Sequence, residues 1–199
     1  IVEEGYNNFH WKIEPKKFPN RIKIINRILE EFKSEIYLIK SKKDLKTIDF
    51  SKKKIIFCLH DKMIKKTSYI LNFKENFTLL SKSCFNLSCP GVVMPLCHHL
   101  IEGIKVGSIP ITNCEKLLYP NLNNDNCLRY SSLEELIEKI DQALHMDNDR
   151  VQYMRSKVQE YYDTNLSPKK FKQKFNEMIV EKKNKIICCD DHRSINKFI

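Results

Sequence analysis

Three side chains between Cys89 and Gly107 have the types and spacing to act together on a phosphorylated ligand. His98, Glu102 and Lys105 follow one another at i, i+4 and i+7, which places them on one face of a helix. A carboxylate one turn inside such a helix can accept hydrogen bonds from both hydroxyls of a ribose, and an imidazole nearer the amino end can reach a phosphate. On spacing alone, a surface histidine and a solvated glutamate are the simpler explanation.

The elements around these residues predict a parallel βαβ unit. Cys84–Ser88 is a short apolar run typical of a buried strand, helical spacing extends over Pro95–Val106, and Ser108–Ile111 is a second buried strand. Gly91 lies in the turn after the first strand, and Gly107 ends the helix. Such units bind phosphorylated ligands at the loop after the first strand, because free backbone N–H groups and the helix dipole face that point.

The segment from Pro90 to Ile111 resembles the nucleotide-sugar-binding segment of glycosyltransferases that have two Rossmann-like domains, the GT-B fold, and most of all the exostosin-like transferases. The matching residues are Pro90-Gly91, Glu102-Gly103-Ile104 and Gly107-Ser108-Ile109-Pro110-Ile111. The resemblance is weaker through Leu118-Tyr119-Pro120 and Asn126-Cys127, and it covers roughly residues 21 to 175. Met94 and Pro95 stand where many retaining members have an additional glutamate, which leaves the stereochemistry of transfer open.

The resemblance implies that this chain supplies the donor-binding half of an enzyme that transfers a sugar from a nucleotide-sugar donor to a glycan hydroxyl. Gly91 would let the backbone approach the diphosphate, and His98 would be the catalytic residue, donating to a phosphate as the nucleotide leaves. Glu102 would hold the ribose, and Ser108 would donate a hydrogen bond near the base or ribose. Enzymes of this fold usually need no metal, so neither a metal nor a cofactor is expected.

An acceptor partner is also implied. In inverting members the general base that activates the acceptor normally comes from the other domain, so a separate or missing N-terminal acceptor domain is an expected partner. A second hypothesis is a non-catalytic module, derived from such an enzyme, that binds a nucleotide or a partner chain. The donor-side residues would look the same in both cases.

A second apolar run, Lys54–His60, is typical of a central parallel strand and ends in His60-Asp61. Residues at the carboxyl ends of parallel strands line the ligand crevice of open α/β sheets, so His60 and Asp61 are further candidates for binding the nucleotide sugar. Asp61 is equally suited to cap the helix predicted over Met63–Phe73.

The chain as a whole predicts a Rossmann-like, three-layer α/β domain with a mostly parallel sheet, the C-terminal half of a GT-B fold, and a helical C-terminal tail. Residues 1–19 form an irregular entry segment, 20–146 the donor-binding domain, 147–183 helices that pack on it, and 184–199 a flexible tail. In the second part, Ser132 with Glu135 predicts a capping box at the start of a helix.

Composition limits the other classes of function. The formal net charge of +10 allows nucleic-acid binding, but the lysines are scattered and no RNA or DNA motif accompanies them, so no specific nucleic acid is expected as a partner. No apolar run approaches the ~20 residues that span a bilayer. The expected location is the cytoplasm, or the Golgi lumen if an upstream signal anchor is missing from this chain.

The eight cysteines are not expected to form a disulfide framework, since several lie in predicted buried elements of a chain long enough to have its own core. Cys84, Cys89, Cys97, His98 and His99 are close in sequence, but their spacing matches no zinc pattern. No metal site is therefore predicted from the cysteines.

Overall fold

The computed structural model describes residues 21–58, 69–89 and 96–180. Its first half contains helix α1 (Arg21–Glu31), strand β1 (Ile36–Leu38), the short helix α2 (Lys42–Lys46), strand β2 (Ile55–Phe57) and helix α3 (Phe73–Lys82). The second half contains β3 (Phe85–Leu87), α4 (His98–Lys105), β4 (Ile109–Thr112), a 3-10 turn (Glu115–Leu117) and β5 (Leu128–Arg129). Helices α5 (Leu133–His145) and α6 (Asn148–Tyr161), a π-helical turn (Tyr162–Leu166) and α7 (Pro168–Val180) follow.

All strand pairs in the described residues are parallel, which confirms the predicted α/β class with a parallel sheet and a helical C-terminal stretch. They form two sheets, in the orders β1-β2 and β3-β4-β5. Phe85 lies opposite Ile109, and Ile111 lies opposite Leu128, so β4 is the central strand of the larger sheet. Parallel strands need crossover connections, and α4 provides the one between β3 and β4.

The strand β4 is buried along its whole length, and this sets the position of the core. Ile109 is fully buried and Ile111 is 4% exposed. Helix α4 covers one side of this sheet with Leu100 and Ile104, both fully buried, as the helical spacing predicts. Residues of α1, α5 and α6 and their ends also belong to the core, among them Ile24, Ile28, Phe32, Leu136, Ile140, Val151, Met154 and Val158.

Most of the predicted elements appear with shorter bounds. The helix predicted over Pro95–Val106 runs from His98 to Lys105, and Gly107 ends it with a φ of 73°, which only glycine adopts without strain. Ser132 caps α5 by accepting from the Glu135 N–H, but the Glu135 carboxylate accepts from the Ser131 N–H and hydroxyl instead of closing the predicted capping box.

The helix predicted over Met63–Phe73 falls mostly outside the described residues, and only its last part can be compared with the structure. Within Met63–Phe73 the described residues 69–72 are not helical, and α3 begins only at Phe73. The physical reason is a capping box at Asn72, whose side chain accepts from the Glu75 N–H while Glu75 accepts from the Asn72 N–H. Residues 59–68, which include His60 and Asp61, lie outside the described residues, as do residues 1–20, 90–95 and 181–199.

Candidate functional site

The first turn of α4 begins directly after the loop that leaves the carboxyl end of β3. Cys97 precedes the helix in an extended conformation and gives it no side-chain cap, although its carbonyl accepts from the Leu100 N–H at 3.0 Å. This is the position at which a parallel βαβ unit presents a helix dipole to an anion. Gly91, the residue predicted to approach a diphosphate, lies outside the described residues.

Three side chains meet on the first turn and a half of α4: His98, His99 and Glu102. Their ligating nitrogen and oxygen atoms all lie within 4.8 Å of one another. The His99 Nδ1 atom is 3.1 Å from Glu102 Oε2, and the two imidazole rings are 4.2 Å apart between centroids. The structure therefore brings together the two residues predicted on this helix, His98 and Glu102, and adds His99 between them.

Glu102 is held from two elements. Its Oε2 atom accepts from Asn76 Nδ2 of α3 at 3.3 Å, in addition to the contact with His99. Its side chain is 22% exposed, and among the described residues Oε1 has no hydrogen-bond partner. The carboxylate is thus fixed in direction while one oxygen stays available to a ligand.

The protonation of His99 follows from its surroundings. Burial lowers the pKa of its imidazole, and the electrostatic influence of His98 and of the Arg21 guanidinium lowers it further, although Glu102 opposes them. The lowered pKa favours the neutral ring at neutral pH, a form with one donor and one acceptor nitrogen.

The backbone under this cluster is anchored to the sheet. Asn86 of β3 donates from Nδ2 to the His99 carbonyl at 2.9 Å. Gly103 makes this approach possible, because a Cβ atom on it would lie only 3.1 Å from Asn86 Cγ and 3.2 Å from Asn86 Cβ. The glycine of the Glu102-Gly103-Ile104 segment therefore has a packing role next to the site.

Two other residues that the sequence analysis considered, Lys105 and Ser108, do not lie in this cluster. Lys105 lies with its ammonium group 5.2 Å from the centre of the Phe77 ring of α3, a cation–π contact two turns away from the amino end. Ser108 is fully buried at the amino end of β4, where its N–H donates to the Gly103 carbonyl. Because the helix amino end lies at the carboxyl end of the strands, the structure does not bring Ser108 to the cluster.

Sequence reasoning missed three residues at this edge. Asn76 gives no sequence signal, because its contact with Glu102 depends on the packing of α3 against α4. Arg21, the first residue of α1, lies close enough that its charge lowers the pKa of both His99 and the Cys89 thiol. His99 could have been found from its i, i+3 spacing to Glu102.

Buried polar residues collect at the carboxyl ends of the strands. Ser88, Thr112 and Asn113 are each less than 9% exposed there. Tyr130, at the end of β5, is 3% exposed, and its hydroxyl has no hydrogen-bond partner among the described residues. Desolvation raises the pKa of the Cys89 thiol to about 11, so it is a neutral thiol at neutral pH.

A separate cavity of about 880 Å³ lies between β5, α5 and the start of α6, and none of the predicted site residues lines it. Several of its charged groups already have partners: Arg129 contacts the Asn124 side chain, Arg150 contacts Asn124 and Asp125, and Glu135 contacts Ser131. The α4 cluster remains the better candidate site.

Comparison with known proteins adds no relative. No protein-family model matches the chain, and no significant match was found among curated proteins or solved structures. In the described residues, no helix is both long enough and apolar enough to cross a membrane. None of the described cysteines forms a disulfide bond.

Proposed function

We propose that this chain is the donor-binding half of an exostosin-like glycosyltransferase, which transfers a sugar from a nucleotide-sugar donor to a hydroxyl group of a glycan. The observation that carries the proposal is the position of Glu102, held by His99 and Asn76 one turn inside the helix of a parallel βαβ unit. A ribose at that point would donate its hydroxyls to a carboxylate oxygen that is already oriented.

The helix amino end supplies the second part of the proposal. The amide groups of the first turn and the helix dipole favour a diphosphate beside His98, whose exposed imidazole can donate to a phosphate oxygen. Stabilising the charge that develops on the leaving nucleoside diphosphate is the chemistry that this transfer requires. Arg21 adds positive charge at the same edge.

The acceptor side belongs to a partner. We propose that an N-terminal acceptor domain, in the same polypeptide or on a separate chain, supplies the glycan site and the group that activates its hydroxyl. The proposed compartment is the cytoplasm, with the Golgi lumen as the alternative if the full protein has a signal anchor.

The first test is calorimetric titration of the 199-residue chain with uridine, guanosine and adenosine diphosphates. We expect one of them to bind, and we expect Glu102→Gln to weaken it about 10-fold, the effect of losing ~1.5 kcal/mol from a charge-assisted hydrogen bond. His98→Ala should weaken it as well. His145→Ala, which removes a 75%-exposed histidine of α5 that pairs with Asp141, is the matched control and should have no effect.

Two results would contradict the donor-site reading. One is the absence of binding at millimolar concentrations of all three nucleotides, and the other is binding that is insensitive to Glu102→Gln. Sugar transfer on addition of an acceptor domain would support the enzyme, whereas nucleotide binding without transfer in that complex would favour the non-catalytic module.

A further inference from the structure

The donor set on the first turn of α4 is also suited to a metal ion. His98 and Glu102 are related by i, i+4 and His99 and Glu102 by i, i+3, two spacings by which helices present pairs of metal ligands. The structure brings all three side chains within 4.8 Å of one another, and it shows no other such group of histidine, cysteine or carboxylate side chains in the residues it describes.

We propose that His98, His99 and Glu102 bind a divalent transition-metal ion of the zinc type, with water completing the coordination. This inference does not rest on the proposed nucleotide binding, since it concerns the chain in the absence of any nucleotide. It departs from the sequence-based expectation of a metal-free site, which rested on the resemblance to a fold that usually needs no metal and on the absence of a zinc pattern among the cysteines and histidines.

The distances support a site that needs only a small adjustment. Zinc bound tetrahedrally at about 2.1 Å from nitrogen and oxygen holds its ligand atoms about 3.4 Å apart. The separation of 3.1 Å between His99 Nδ1 and Glu102 Oε2 is already close to this value. His98 is exposed, so rotation of its side chain can bring its ring nitrogen inward without disturbing the core.

The residues behind the ligands also fit a metal site. Metal-bound carboxylates and imidazoles are usually oriented by hydrogen bonds from an outer layer of residues. Asn76 donates to Glu102 Oε2, and Asn86 fixes the backbone of His99 through its carbonyl. Asn76 is therefore a positioning residue in this proposal, whereas the three ligands contact the ion.

The chemistry of the donor set indicates the class of ion. Two imidazoles and one carboxylate suit zinc, cobalt, nickel and iron(II), whereas magnesium and calcium prefer sites made of oxygen atoms. Cys97 lies nearby, with its Sγ atom 4.0 Å from His98 Nδ1, so a thiolate is the natural competitor for the ion. A test must therefore distinguish nitrogen and oxygen ligands from sulfur.

The experiment uses the full chain, treated with a chelator and titrated with Co²⁺, whose visible absorption reports its ligands. We expect one ion per chain with ligand-field bands and no thiolate charge-transfer band, and Zn²⁺ should displace it. Glu102→Gln, which preserves the shape of the side chain, and His99→Ala should each weaken binding at least about 10-fold. Asn76→Ala should weaken it about 10-fold through the orientation of Glu102.

His145→Ala is again the matched control, because His145 and Asp141 form an exposed two-residue pair on another helix, and its affinity should equal that of the unchanged chain. Circular dichroism of each variant verifies folding. If His99→Ala does not fold, the Co²⁺ affinity of Glu102→Gln tests the proposal. A thiolate charge-transfer band, no stoichiometric binding, or equal affinity in Glu102→Gln would each overturn the proposal.

Metal binding and nucleotide binding can fail independently in these experiments. The titration with Co²⁺ contains no nucleotide, and the nucleotide calorimetry is carried out on chelator-treated protein without added metal. Because both ligands would use Glu102 and His98, we further expect Zn²⁺ to lower the affinity for the nucleoside diphosphate if both proposals hold.

Discussion

The two sheets of this protein differ in how their strands are buried. In the three-stranded sheet, all four residues of the central strand β4 are buried, whereas every residue of β1 and β2, like those of the edge strand β3, is only half-buried. A parallel strand covered on both faces needs apolar neighbours above and below, and α4, α5 and α6 provide them for β4. The candidate site is on α4, which packs against this buried strand, so its backbone is held on a rigid element.

The largest difference that we expect between the two sheets is in the cost of removing a buried side chain. Ile109→Ala in β4 should lower the free energy of unfolding by about 4 kcal/mol, because the side chain is fully buried and its removal leaves a cavity. Ile56→Ala in β2, a half-buried position, should cost about 1 kcal/mol. Urea denaturation of both variants measures the contrast, and equal costs would contradict it.

A second prediction concerns the contact between α4 and β3. Gly103→Ala should destabilise the protein by about 2 kcal/mol, since the added Cβ meets the Asn86 side chain and displaces its hydrogen bond to the His99 carbonyl. Glu138→Ala, at an exposed position of α5, is the control and should change stability by less than about 0.5 kcal/mol. A neutral Gly103→Ala variant would show that α4 is not fixed to the sheet at this point.

The third prediction compares the reactivity of three cysteine thiols and involves no change in the stability of the protein at neutral pH. Desolvation raises the pKa of Cys127, beside β5, from 9.0 to about 12, which leaves about 1000-fold less thiolate at pH ~8 than at an ordinary cysteine. Cys84 is exposed, and Cys58, after β2, is half-buried with a smaller rise in pKa. Alkylation followed by mass spectrometry should modify Cys84 first, then Cys58, and Cys127 last.

The raised pKa of Cys127 also determines the direction in which the free energy of unfolding changes with pH. The folded Cys127 thiol keeps its proton up to about pH 12, whereas the unfolded thiol loses it above about pH 9, so the unfolded state binds fewer protons between these values. Its contribution to stability is complete below pH ~9 and is lost as the pH rises toward 12. A Cys127→Ala variant should show a shallower loss of stability in that range, and an identical slope would contradict the assignment.

The sequence by itself determined the repeating pattern of the central unit. The apolar run before Ser88, the helical spacing around Ile104 and the glycine at Gly107 were sufficient to predict a strand, a helix and its end, because each depends on residues close in the chain. The structure buries Leu100 and Ile104 on one side of this helix and leaves His98 and Lys105 exposed, as their helical spacing requires.

Tertiary structure decided what each site residue contacts. Asn76 reaches Glu102 across 26 residues of sequence, and Arg21 approaches His99 from the first described helix, so neither contact has a local signature. Ser108 has the right residue type for a ligand contact, but β4 begins at the opposite edge of the sheet and buries it. Local spacing sets which face of an element a residue occupies, whereas the packing of distant elements determines what lies opposite that face.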